Sequence, residues 1–287
     1  MPSKSPNCLL SDNSRDTFIF SSRKIRENIE ASRTARTLRL TIAYDGTRYA
    51  GWQIQNSNKQ HATSNRKPTI QGTLERVLRQ ILQERVTVVG SGRTDAGVHA
   101  LSQVAHLEMR STMPPARLRR SLNQLLPSDI ALTRVSECHA PFHARFDAAR
   151  KHYRYRIVIG EVVLPFIQPY VHQVRVPLLL SRMRREAAVL CGRHDFRAFA
   201  RSGSDGGGTV RSVRSVRVSR RGQELHIDVV GNGFLHTMVR SMVGTLVDIG
   251  RGRLSAGTIR QMLRTRDRRL AGTTAPAKGL TLVSVGY

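Results

Sequence analysis

The sequence predicts an α+β fold of two pseudo-duplicated βαββαβ halves, with antiparallel sheets facing a central cleft. Three observations lead there. The order strand, helix, strand, strand, helix, strand is legible from about residue 38 to residue 137, and it recurs after residue 150. Period-2 alternation marks the strands and period-3.6 apolar stripes mark the helices. A length of 287 residues is enough for two such halves around a buried core.

In the first half, Leu38, Leu40, Ile42 and Tyr44 alternate up to an Asp45-Gly46 turn, as a half-buried strand does. After the segment Tyr49–Gln55, the Ser/Asn/Lys-rich residues 56–68 read as a flexible loop. Ile70, Leu74, Val77, Leu78, Ile81 and Leu82 then share one helix face, with Thr69 as N-cap. Val86 to Val89 reads as a short buried strand and Gln103 to Met109 as the next one. Pro114-Pro115 opens a helix carrying Leu118, Leu122, Leu125 and Leu126, stopped by Pro127. Residues 129–137 give the fourth strand.

The second half follows a basic linker at 142–150. Tyr153 to Ile159 is a strand, and Leu180, Met183, Ala187, Ala188 and Cys191 mark a helix. Thr209 to Val218 and Glu224 to Val230 flank a turn at Arg221-Gly222. Phe234 to Ile249 is a strongly apolar helix, a shorter helix lies near 255–264, and Leu280 to Tyr287 closes as a strand. The order is ferredoxin-like in both halves. The boundaries predicted are a flexible basic extension at 1–36, an N-terminal half at 37–145 and a C-terminal half at 146–287. The crevice between such halves is a natural binding site.

Charge narrows the partner. Lys and Arg number 47 against 20 Asp and Glu, a net charge of +27. So large an excess repels itself in a compact state and calls for a polyanion, for which nucleic acid fits best. Cys8, Cys138 and Cys191 are widely spaced, without ligand spacing, which suits a reducing compartment. No apolar run reaches membrane-spanning length, and the N-terminus lacks a signal-peptide core. Its Ser/Arg content hints at a transit peptide, but Asp12, Asp16, Glu27 and Glu30 oppose that. A cytoplasmic protein without membrane contact is the expectation.

The loop Gly90-Ser91-Gly92-Arg93-Thr94-Asp95-Ala96-Gly97-Val98-His99-Ala100 joins two strands. Its glycines permit a tight turn, and its single carboxylate is either a turn cap or a catalytic group. As a nucleophile, Asp95 needs a cation beside it. Arg93 is in the same loop, but i,i+2 spacing points it away in extended chain. Arg240 interrupts an apolar helix, so it pairs with something or lies on a polar stripe with His236, Gly244 and Asp248. Residues 150–156 interleave tyrosines with basic residues, and Tyr153 and Tyr155 share one strand face. That pattern suits base stacking with phosphate contact, or core tyrosines beside a basic edge. Gly231-Asn232-Gly233 is a turn or a phosphate cradle. His139, His143 and His152 lack partners at metal-ligand spacing, and no nucleotide or cofactor fingerprint is present.

Successive segments then resemble a known family. They are Tyr44-Asp45-Gly46-Thr47, Gly51-Trp52-Gln53, the stretch from Gly92 to Ala100, Gln103-Val104, Tyr153-Arg154-Tyr155, Gly192-Arg193-His194-Asp195-Phe196, Phe234 to Arg240, and Thr274 to Leu280. In this order, over residues 37–287, they resemble the tRNA pseudouridine synthase A family. The resemblance implies isomerisation of uridine to pseudouridine at positions 38, 39 and 40 in the anticodon stem-loop of tRNA. It implies a homodimer and no cofactor. It carries the nucleophile onto Asp95, a substrate-contacting tyrosine onto Tyr153, the carboxylate's partner onto Arg240 and a nucleotide-flipping arginine onto Arg93. Thr94 and His99, in the same motif, are expected at the substrate. The segment before residue 37 and the long 56–68 loop depart from the family pattern. A non-catalytic RNA-binding protein would explain the charge but not the carboxylate in its most Gly-constrained loop. A metal-dependent nuclease would need clustered carboxylates that the chain lacks.

Overall fold

Strict alternation builds the first strand. In β1 (Arg36–Tyr44), Leu38, Leu40, Ile42 and Tyr44 are buried while the residues between them stay half-exposed. One face therefore meets the core and the other meets water, as in an antiparallel sheet covered on one side. The computed structural model describes residues 35–53, 67–201 and 208–287. The expected basic extension at 1–36 and the loop at 56–68 lie outside the described residues, apart from residues 35, 36, 67 and 68.

The elements follow the expected order. After β1 come α1 (Ile70–Leu82), β2 (Val89–Gly90), β3 (His99–Met109), α2 (Pro115–Leu125) and β4 (Ile130–Glu137). Then come β5 (Arg150–Ile159), β6 (His172–Val174), α3 (Leu180–Val189), β7 (Gly192–Asp195), β8 (Val210–Arg221), β9 (Glu224–Gly231), α4 (Met238–Gly250), α5 (Thr258–Thr265) and β10 (Leu280–Gly286). Thr69 caps α1 as predicted, its hydroxyl accepting from the Gly72 amide at 3.1 Å. The short strands β6 and β7 carry too few residues to show a period. α4 begins at Met238 rather than Phe234, because Thr237 stands in the left-handed region at φ 62° and breaks the helix there.

One correction concerns the sheets. Two facing sheets were expected, but the ten strands among the described residues form one sheet, in the order β4-β1-β3-β10-β5-β9-β8-β7, with β2 on β3 and β6 on β5. The last strand is the reason. β10 runs antiparallel to β5 and parallel to the start of β3, so its two edges join the first half to the second. Leu282 pairs with Tyr153 on one side and with Ala100 on the other. The β5 tyrosine face is thereby set beside the exit of the Gly90–His99 loop. A single hydrophobic cluster runs under both halves, from Leu38 and Leu74 to Tyr155, Met242 and Leu282. No helix among the described residues is long and apolar enough to cross a membrane.

Candidate active site

The loop between β2 and β3 is held rigidly from several sides. Ser91 Oγ donates to Gln103 Oε1 at 2.7 Å, and Gln103 Nε2 donates to the Gly92 carbonyl at 2.9 Å. The Tyr44 hydroxyl and Thr94 Oγ1 are 2.9 Å apart in the interior. The Trp52 amide donates to the Thr94 carbonyl at 3.1 Å. Gly90 has to be glycine because a Cβ there would lie 2.5 Å from the Trp52 indole, and Gly97 turns the chain at φ 78°. These glycines serve the packing and turn of the loop itself.

Asp95 sits at the tip of this scaffold. Arg240 Nη1 donates to Asp95 Oδ2 at 2.7 Å, and both side chains are about one-fifth exposed, 18% for the aspartate and 19% for the arginine. The guanidinium is itself fixed, since Arg240 Nε donates to the Ala275 carbonyl at 2.8 Å. The Ala275 amide returns a bond to the Arg240 carbonyl at 3.1 Å. Further along α4, Asp248 Oδ2 accepts from the Thr273 amide at 2.9 Å and Thr245 Oγ1 accepts from the Gly272 amide at 3.1 Å. The polar stripe foreseen on this helix thus exists, but it is an interior seam. Its N-terminal end faces Asp95 and its C-terminal end holds the 272–275 segment. His236 joins at the same end, with Nε2 3.4 Å from Asp95 Oδ1. The carboxylate therefore lies near the start of α4, where the helix dipole favours negative charge.

Tyr153 and Tyr155 share the buried face of β5, as the sequence predicts. Burial pushes the Tyr153 hydroxyl above its ordinary value, with the charges of Tyr44 and Asp95 adding to the effect. Phe234 packs edge-on to the Tyr153 ring, centroids 5.4 Å apart. On the opposite face the basic residues are largely spent on carboxylates. His152 Nε2 and Arg154 Nε lie 2.6 and 2.9 Å from Asp228 Oδ1, and Arg156 makes a two-pronged pair with Glu224. The cationic groups at 152, 154 and 156 are thus matched by acids of β9, Asp228 across from Arg154 and Glu224 one same-side pair beyond Arg156.

The remaining residues expected at the substrate divide. Arg93 is exposed, and its guanidinium has no hydrogen-bond partner among the described residues. Thr94 is buried, its hydroxyl against Tyr44. His99 is buried as well, and burial pushes its pKa down. The neutral ring then carries its proton on Nε2, which lies 3.2 Å from the Lys278 carbonyl, and Nδ1 accepts the Gly46 amide at 3.1 Å. That assignment follows from the partners. It means that the Asp45 carboxylate, 3.1 Å from Nδ1, is a neighbour rather than an ion pair. Asp45 is engaged instead by Thr47 and by the Tyr170 hydroxyl at 2.8 Å. The polar atoms of Thr94 and His99 are thus taken up in bracing the loop and the turn before it.

Four residues at this site had no site role legible in the sequence: Gln103, Phe234, His236 and Lys151. Gln103 and His236 stood within the recurring segments, yet a glutamine in a strand and a histidine before a helix carry no signal of their own. Lys151 lay in a run of basic residues that hid its separate position.

A family model described as tRNA pseudouridine synthase matches residues 40–147 and 187–287. By class this is an isomerase acting on tRNA uridines. Within that class the chain belongs to the tRNA pseudouridine synthase A family. The protein of that name from Moorella thermoacetica is 45% identical over 250 residues, covering 87% of this chain and 99% of the relative. Those of Limosilactobacillus fermentum and Brevibacillus brevis are each 42% identical, covering 87% and 88% of this chain and 95% and 100% of their own. A crystal structure of a Cbf5-Nop10-Gar1 complex also aligns, at 11% identity over 86% of this chain and 49% of that one. Its TM-score of 0.35 is too low to carry a structural argument.

Proposed function

We propose that the chain converts uridine to pseudouridine at positions 38, 39 and 40 in the anticodon stem-loop of tRNA, with Asp95 as nucleophile. The observation that carries this reading is the lone carboxylate of a rigid loop, paired with Arg240 beside a buried tyrosine, in a chain of net charge +27. A uridine drawn out of its stack rests against Tyr153 and Phe234, as bases do on aromatic faces. Asp95 attacks it at C1′ or at C6. The N1–C1′ bond breaks, the base turns, a C5–C1′ bond forms, the bond to Asp95 breaks and frees its carboxylate, the C5 proton leaves and N1 gains one. No electron changes hands. Arg240 orients the carboxylate and Arg93, exposed on the same loop, meets the displaced nucleotide or its phosphate.

We further read the fold as two halves of one topology, 37–145 and 146–287. In support, β4-β1-β3-β2 and β10-β5-β9-β8 are the same strand order. A cytoplasmic homodimer completes the reading on family likeness, and light scattering at micromolar concentration tests the dimer.

The decisive assay uses tRNA tritiated at uridine C5. Wild-type protein should release the label, and mapping should place pseudouridine at 38, 39 and 40. Asp95→Asn and Asp95→Ala should abolish release while still binding tRNA. Turnover retained by Asp95→Ala would sink the mechanism.

A further inference from the structure

Residues 150–156 are uniformly basic in sequence but not in structure. His152, Arg154 and Arg156 are matched by Asp228 and Glu224 on β9. Lys151 has no carboxylate partner among the described residues. It points to the same side of β5 as Tyr153, two residues away and about 7 Å along the strand. Its ammonium is largely buried and donates to the Ser91 carbonyl at 2.6 Å, in the loop that carries Asp95. It sits so close to Gly92 that a Cβ there would lie 3.0 Å from Nζ. An ammonium has three donors, so two remain. Burial, and after it the repulsive charges of Arg145 and Arg211, bring its pKa down to about 8. Arg211 is in a similar state. Its Nη1 donates to the carbonyls of Gly208 and Val210 at 3.1 and 2.7 Å, and no carboxylate among the described residues pairs with it.

A buried cation left unmatched destabilises the fold, and adding two guanidinium groups makes it worse. The fold carries this cost against the loop that holds Asp95, where an arriving anion would relieve it. We propose that Lys151 and Arg211 form the binding site for a backbone phosphate of the substrate RNA next to the reacting uridine, and that Lys151 passes this contact to the catalytic loop through the Ser91 carbonyl. The inference rests on the RNA substrate of the function proposed above. Its physical basis is a cation pair without carboxylate partners among the described residues, with Lys151 bonded to the loop that carries Asp95.

The test is binding of an unmodified tRNA transcript at several salt concentrations, with wild type, Lys151→Met, Lys151→Arg and Arg211→Gln. Each lost phosphate contact should flatten the dependence of log affinity on log salt by about 0.7–0.9. The affinity penalty of Lys151→Met should therefore shrink about threefold between roughly 50 and 200 mM salt. Arg211→Gln should behave in the same way, and Lys151→Arg should keep most of the wild-type slope. A purely structural role for Lys151, acting only through Ser91, would lower turnover and stability with parallel salt curves. That result overturns the proposal. Should Lys151→Met fail to fold, an unchanged slope in the half-exposed Arg211→Gln overturns it equally. Wild-type protein that binds no tRNA would sink the RNA reading itself, a result distinct from parallel slopes.

Discussion

Arg240 Nη1 lies 2.7 Å from Oδ2 of Asp95, although the two residues are 145 positions apart in sequence. The bond joins the loop of the first half to the one partly exposed residue of an otherwise buried helix of the second. Each partner is held from behind, Asp95 by the braced loop and Arg240 by Ala275. The pair is thus preorganised, with little reorientation left for the moment of reaction.

Arg240→Ala should therefore lower kcat/KM by roughly 10²-fold or more, since it leaves a partly buried carboxylate without its partner. Arg240→Lys should be milder but not neutral, because lysine cannot bind the Ala275 carbonyl and the carboxylate with one planar fork. His236→Ala should cost less than about tenfold, as that side chain is half-exposed and its contact with Asp95 is long. Tritium release under single-turnover conditions checks the ranking, and equal activity in Arg240→Ala would refute it.

Tyr153 should work as a phenol. Burial raises its pKa, so the ionised form is disfavoured further than in water, and the hydroxyl stays protonated through the neutral and mildly alkaline range. The kcat profile from about pH 7 to 9 should show no rise assignable to this group, and Tyr153→Phe should bind tRNA better than Tyr153→Ala. An alkaline rise present in wild type and absent from Tyr153→Phe would make the phenolate the base that removes the C5 proton.

Tyr44→Phe should destabilise the protein by about 1–2 kcal/mol, leaving the buried Thr94 hydroxyl without its partner. Thermal unfolding should show a Tm lowered by roughly 2–6 °C for a chain of this size. Activity should fall as well, because the missing bond holds the residue next to Asp95.

Glu224 should shape stability in acid. Its bond from Arg156 holds its pKa down to about 2 from an ordinary 4.5, with His226 adding to the effect. A depressed carboxylate stabilises the fold fully above its unfolded value, and the stabilisation is lost as pH falls through the folded one. The window runs from about pH 4.5 down to about 2. Glu224→Gln should cost on the order of 2–3 kcal/mol at pH 7 and little near pH 2, as read by denaturant unfolding. An equal cost at both would show that the pair is not the cause.

Most elements were legible because they carry a period: the alternation in β1, the stripe in α1, and Pro115 at the start of α2. The site was legible only in part. Asp95 stood out by its glycines, and Arg240 by being a charge in an apolar helix. Neither residue's own pattern showed that it would meet the other. The pairing came from the family resemblance, and the polar stripe on α4 competed with it until its surroundings were known. The basic run at 150–156 misled in one respect, because acids 68 to 76 residues further along the chain, on β9, neutralise its C-terminal part.

By itself, the sequence determined the α+β order of elements, the net charge of +27, the family and the Gly-rich loop around Asp95. These are local or compositional properties, written in neighbouring residues. Only the tertiary structure decided that one continuous sheet replaces two facing ones, because that depends on which edges β10 joins. It also decided that Thr94 and His99 face inward, and that Lys151 is left without a carboxylate among the described residues. Each of these is a matter of distance between residues far apart in the chain, and such distances are fixed by packing rather than by any local pattern.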